Sequence, residues 1–140
     1  MKSKIPLWIN VLQVVIILIL SFQTFACYFK PEMLYPGIRL DGIVDQQAMY
    51  VLAGRNAMMA IVAIVVLFSQ DPKFYIVAFL MNFLRELQDM FIVAMNSPAD
   101  SPIPPVANFF IFLLVFVVPE FIALQRLRKI SKQMDNYAQR

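Results

Sequence analysis

Histidine is absent from the 140 residues, cysteine occurs once, glycine three times, and charged residues make up only 15% of the chain. Each shortage removes a class of function. Without histidine there is no imidazole to ligate zinc or haem or to move protons near neutral pH, and neither a Ser-His nor a Cys-His nucleophile pair can be built. The lone Cys27 cannot close an intramolecular disulfide or supply a multi-thiolate metal site. No metal and no cofactor is expected. The net charge of +3 sits beside apolar runs, which argues against nucleic acid as a partner. What the chain has in excess is apolar matter, 61% of residues with 13 Phe and 9 Met. Soluble domains run nearer half apolar and a quarter charged, and small ones bury the smaller fraction of their surface. The lipid bilayer is the expected solvent.

A hydrocarbon core ~30 Å thick takes about 20 helical residues to cross. Four stretches qualify, at 7–29, 47–69, 74–96 and 106–124. Proline and charge at Gln70-Asp71-Pro72-Lys73 end the second, and the proline-rich 97–105 ends the third. The fourth carries Pro119, expected to kink it, and Glu120. Residues 30–46 form an outer connection with turn signals at Pro36-Gly37 and Asp41-Gly42, and 125–140 a basic tail suited to anionic headgroups. No repeat or linker divides the chain, so 1–140 is read as one domain. The expected fold is all-α, an integral membrane antiparallel four-helix bundle.

Positive charge orients such a bundle. Lys2, Lys4, Lys73, Arg126, Arg128, Lys129, Lys132 and Arg140 fall on the side of the termini, against Lys30 and Arg39 on the other. Both termini are therefore expected in the cytoplasm, with the chain a multi-pass protein of a bacterial-type inner membrane. Trp8 and Tyr75 would belong to the inner aromatic belt, Tyr28 and Tyr50 to the outer. A cleavable signal peptide at Met1-Lys2-Ser3-Lys4 fits less well, because the apolar run that follows exceeds an h-region.

Charge inside a span is costly and defaults to a functional hypothesis. Asn82, Arg85, Glu86 and Asp89 recur at i, i+3, i+4 and i+7, one stripe of a helix on which Arg85 can meet Asp89 directly. Arg55, about 12 Å inside the second span, matches the depth of Asp89 at about 10 Å and is the expected further partner. These five residues are the expected ligand-binding set. Asn10, Gln13, Ser21 and Thr24 share a face of the first span, and Ala53, Ala57 and Ala60 offer the second a small-residue contact face beside Gly54. Glu120 reads as a separate, interfacial carboxylate served by the basic tail or Lys4. The methionines, Met58-Met59, Met81, Met90 and Met95, read as adaptable apolar filling rather than soft-metal ligands.

Gly54-Arg55-Asn56 in the second span and Arg85-Glu86-Leu87-Gln88-Asp89 in the third, on this hydropathy layout, resemble the small four-helix DoxX-like membrane proteins. The resemblance implies an antiparallel bundle working in a membrane complex or a redox or stress setting. Three functions remain open. The first is non-enzymatic: the stripe binds a small amphipathic ligand or supports a membrane-protein partner. The second is an intramembrane enzyme acting on a lipid or isoprenoid, with Glu86 or Asp89 as acid/base. The third is a proton-coupled carrier, for which four short spans suffice only as a homo-oligomer.

Overall fold

Residues 5–34, 42–96 and 105–138 are described in the computed structural model of the chain. Lys2, Lys4, the Pro36-Gly37 signal, Arg39, the 97–104 connection and Arg140 lie outside them. The described residues hold four helices and no strand. α1 spans Leu7–Phe29, α2 Ile43–Ser69 and α3 Pro72–Asn96, and the fourth helix runs as α4, Pro105–Phe112, a π turn at Leu113–Val117, and α5, Val118–Ala138. Three of them, Leu7–Phe29, Ile43–Ser69 and the stretch Phe109–Tyr137, are long and apolar enough to cross a membrane. α3 is long enough, but Lys73, Arg85, Glu86 and Asp89 keep it from qualifying by composition. Of the four expected spans, three are thus apolar enough by length and composition, and α3, expected to carry a polar cluster, is the charged one.

Prolines and polar turns punctuate these helices. α1 begins after Pro6 and ends at Lys30, whose position before Pro31 disfavours helical dihedrals and whose N–H closes the last turn on the Ala26 carbonyl at 2.8 Å. α2 starts at Ile43, four residues earlier than the span expected from 47. It ends on Gln70 in the left-handed region, φ 50°, a conformation costing a non-glycine residue about 1–2 kcal/mol. Gln70 offsets that cost by donating its amide to the Leu67 carbonyl at 2.6 Å. Asp71 then caps α3, its Oδ1 accepting the Lys73 N–H at 2.8 Å and its carbonyl the Tyr75 N–H at 3.1 Å, with Pro72 in the first-turn position that suits it.

The described helices fall into two compact units, residues 6–70 and residues from 71 onward with Ile5. In the first, α1 and α2 pack antiparallel. Ile9, Gln13, Ile16, Leu20 and Cys27 are buried on α1, and Met49, Ala53, Asn56, Ala60 and Ala63 on α2, both at the three-and-four spacing of an interhelical seam. Gln13 donates across it to the Ala63 carbonyl at 3.0 Å, and Tyr28 stacks on Tyr50 at 5.8 Å toward the other end. The expected contact face holds at Ala53 and Ala60, while Ala57 is half-buried. The seam runs through 53, 56, 60 and 63, so Asn56 is buried where Ala57 was expected. The polar face expected of α1 also divides: Asn10 pairs with the Gln70 amide, Thr24 donates to its own helix at the Leu20 carbonyl, and Ser21 is exposed.

In the second unit α3 lies antiparallel to the fourth helix. Lys73 meets Asp135 at one end, Phe83 meets Phe121 toward the middle, and Phe91 meets Phe109 near the other end. Tyr75, expected in an interfacial belt, is fully buried instead and stacks on Phe79 at 6.3 Å. Residues expected as a tail continue α5 to Ala138, because no breaker follows Pro119 and Leu124, Leu127, Ile130 and Ser131 keep a buried stripe at helical spacing. The π turn explains why Pro119 does not end the helix. Proline lacks an N–H and clashes with the carbonyl four residues back. Widening the preceding turn, with the Val118 N–H reaching the Leu113 carbonyl five residues back, accommodates it.

The Lys73 Nζ to Asp135 Oδ1 contact, 2.9 Å long and exposed, clamps the ends of this unit. The hydrogen bond from Asp135, and then its charge, raise the Lys73 pKa above its ordinary value. A raised lysine pKa means that the contribution is complete below the unfolded value and is lost only as pH climbs through the folded one. The clamp therefore holds at neutral pH and opens in strong alkali. In D135N the Lys73 titration, followed by NMR of labelled lysine side chains, is expected to fall back toward the ordinary lysine range. An unchanged midpoint would show that Asp135 does not hold it.

Candidate intramembrane polar site

Helical spacing sets Asn82, Arg85, Glu86 and Asp89 on one side of α3, and the first three are buried. Asp89 is half-buried. Spacing lets Arg85 meet Asp89 and puts Glu86 and Asp89 together around its guanidinium, and of the two the guanidinium Nη2 meets Glu86 Oε1. Neighbours in sequence sit about 100° apart on a helix and do not ordinarily face each other, and it is the length of the two side chains that lets them meet. The result is a buried ion pair inside one helix.

The fourth helix supplies the missing member. Glu120 is 2% exposed, and its Oε1 accepts a hydrogen bond from Asn82 Nδ2. The expectation of a separate, interfacial Glu120 served by the basic tail or Lys4 is corrected here. Its hydrogen-bond donor is the Asn82 amide, and the cation within electrostatic reach is Arg85. Lys4 itself is outside the described residues. A signal for this pairing exists in the sequence. Asn82 stands fifteen residues before Ser97 and Glu120 fifteen after Pro105, so folding the chain symmetrically about the proline-rich connection brings them level.

Two polar atoms of this pair stand out. Asn82 Oδ1 and Glu120 Oε2 are buried without a hydrogen-bond partner, although each can accept one. In an apolar surround an unfilled polar atom carries the full cost of its desolvation, about 1–3 kcal/mol. The π turn is close along the helix. It lies between the Asn82–Glu120 pair and the Phe91–Phe109 contact, at the level of Arg85 to Asp89, where Pro119 removes one backbone donor from the helix.

No known family model, curated protein or solved structure matches the chain.

Arg55 belongs to the unit of residues 6–70, half-buried on α2 and within electrostatic reach of Cys27, which packs with Met49 and Ala53. Of the methionines, Met90 is buried, whereas Met58 and Met81 are largely exposed, and the Met95 side chain is outside the described residues. Among the described residues no three Cys, Asp or Glu side chains stand close enough together to hold a metal ion. Chemically, the α3–α5 pair offers one buried ion pair and one amide–carboxyl pair with two acceptors open to a donor.

Proposed function

We propose that the chain is a four-span integral membrane protein whose α3–α5 polar site binds a small amphipathic molecule through a hydroxyl, amine or amide hydrogen. The observation that carries this reading is the pair of unfilled acceptors, Asn82 Oδ1 and Glu120 Oε2, both nine-tenths buried or more in side chains that already make one mutual bond. Helix register alone needs no open acceptors. α3 is read as a span because it runs beside the apolar Phe109–Tyr137 stretch from Lys73 at one end to Phe91 near the other. With four crossings both termini share a side, and the excess of Lys and Arg there supports our reading of that side as the cytoplasm, in a bacterial-type inner membrane. The broad bare surface of α1, from Leu7 and Leu18 to Phe29, is then lipid-facing. The DoxX-like resemblance of the charged motifs would place such a protein in a membrane complex or a redox or stress setting. An enzyme with Glu86 as acid/base is less well supported, since that carboxylate already receives the Arg85 guanidinium.

The test is chemical extraction. Protein purified in mild detergent is compared with N82L and E120L by mass spectrometry of the released small molecules, after circular dichroism shows that the variants are helical. A bound amphiphile is expected in the wild type and depleted at least tenfold in both variants. Identical extracts from all three would remove the ligand reading.

A further inference from the structure

Beyond a ligand, the same two atoms define what the site holds when no ligand is bound. Asn82 Nδ2 already donates to Glu120 Oε1. What remains on the two groups is one carboxyl oxygen and one amide oxygen, both acceptors, both buried, and both without a donor. Two acceptors cannot bond each other. A single hydrogen between them can serve both, and the chemistry of the carboxyl group provides it. We propose that Glu120 is a proton-binding site, holding its proton on Oε2 and donating it to Asn82 Oδ1, so that acid and amide close a cyclic pair of two hydrogen bonds.

Charge balance at this level argues the same way. From α3 the groups bearing on Glu120 are Asn82 and Arg85, and the positive charge of Arg85 is met by the Glu86 carboxylate. The π turn Leu113–Val117 brings no titratable side chain, and on α5 itself the next charged residue is Arg126, nearly two turns away. An ionised Glu120 would add a second buried anion to one guanidinium, which apolar surroundings penalise heavily. The protonated acid leaves Arg85 and Glu86 as a neutral pair and fills every acceptor of the Asn82–Glu120 pair. The ligand read above would compete with this ring for the same two oxygens, its donor hydrogen opening the acid–amide bond without removing the acid proton. That consequence rests on the ligand reading, but the protonated resting state does not.

The experiment is infrared spectroscopy of the full chain in lipid nanodiscs, stripped of extractable amphiphiles, at neutral pH. A carboxylic-acid C=O band is expected in the wild type, shifting in D2O, absent in E120Q and moved to higher frequency in N82L, where the acid loses its amide acceptor. E120Q replaces the acid proton by an amide hydrogen and keeps both bonds of the ring, so its thermal midpoint is expected to match the wild type, whereas E120L falls. Either of two results overturns the proposal: a wild type without an acid band that E120Q removes, or an E120Q variant that fails to accumulate or melts as low as E120L. Neither result depends on finding an amphiphile, so the ligand reading stands or falls separately.

Discussion

Replacing Arg85 by leucine is expected to cost the fold about 3–5 kcal/mol, the scale for removing one partner of a buried ion pair. Arg85 and Glu86 are 6% and 4% exposed and bonded to each other, so R85L strands a carboxylate among apolar side chains. Glu86 can limit the loss by taking up a proton, which sets the lower end of the range. The double variant R85L/E86L is expected to recover most of the stability, because a well-packed apolar pair often matches a buried salt bridge. Reversible unfolding in mixed micelles, followed by Trp8 fluorescence and circular dichroism, measures both. A single variant as stable as the wild type would mean that Glu86 does not depend on Arg85. A double variant no better than the single one would mean that Arg85 does more than neutralise Glu86, with its reach toward Glu120 the first place to look.

The second large effect separates two small neighbours on α2. Ala53 is fully buried in the seam with α1, near Cys27 and Met49, so A53L forces added volume into close-packed space at about 1–3 kcal/mol. Gly54, one residue on, is different. A methyl group built there meets nothing within 4 Å among the described residues. G54A is expected to be neutral or stabilising by up to about 1 kcal/mol, the difference in helix propensity. The pair of thermal midpoints, one lowered and one level or raised, tests the register of the α1–α2 seam. Equal losses in both would show that Gly54 is needed for close approach and that the seam is wider than these contacts.

Much of the helical layout was legible in the residue order because its punctuation is chemical. Pro6 and Pro31 bracket α1 at the bounds expected from its uncharged run, and Asp71-Pro72 opens α3 within two residues of expectation. The start of α2 was four residues off because Ile43 and Val44 extend the helix although Asp45 and Gln46 read as loop. The end of the fourth helix was missed by more, since basic residues that look like a free tail are also good helix formers and Leu127 and Ile130 still have a surface to cover.

The candidate site was half legible. The i, i+3, i+4 stripe put Asn82, Arg85 and Glu86 together on α3, and burial of all three bears that out. Glu120 was set apart because its position along the chain places it near the basic residues, and sequence distance hides a partner 38 positions away. Asn56 buried in the seam beside a half-buried Ala57 is a miss of the same kind. Periodicity resolves a helix face only to about one residue in three or four.

Composition and spacing are enough to say that this chain is helical, apolar beyond the needs of a soluble domain, and charged at a few interior positions, because hydrophobic excess and helical period are properties of the chain alone. Which interior groups meet is another matter. It depends on the register of two helices joined by a proline-rich connection and on a π turn that absorbs Pro119, and a shift of one residue along either would part Asn82 from Glu120. That pairing, with its two open acceptors, arises only when the helices are in contact, since hydrogen bonds are made across a gap of about 3 Å that no linear pattern records.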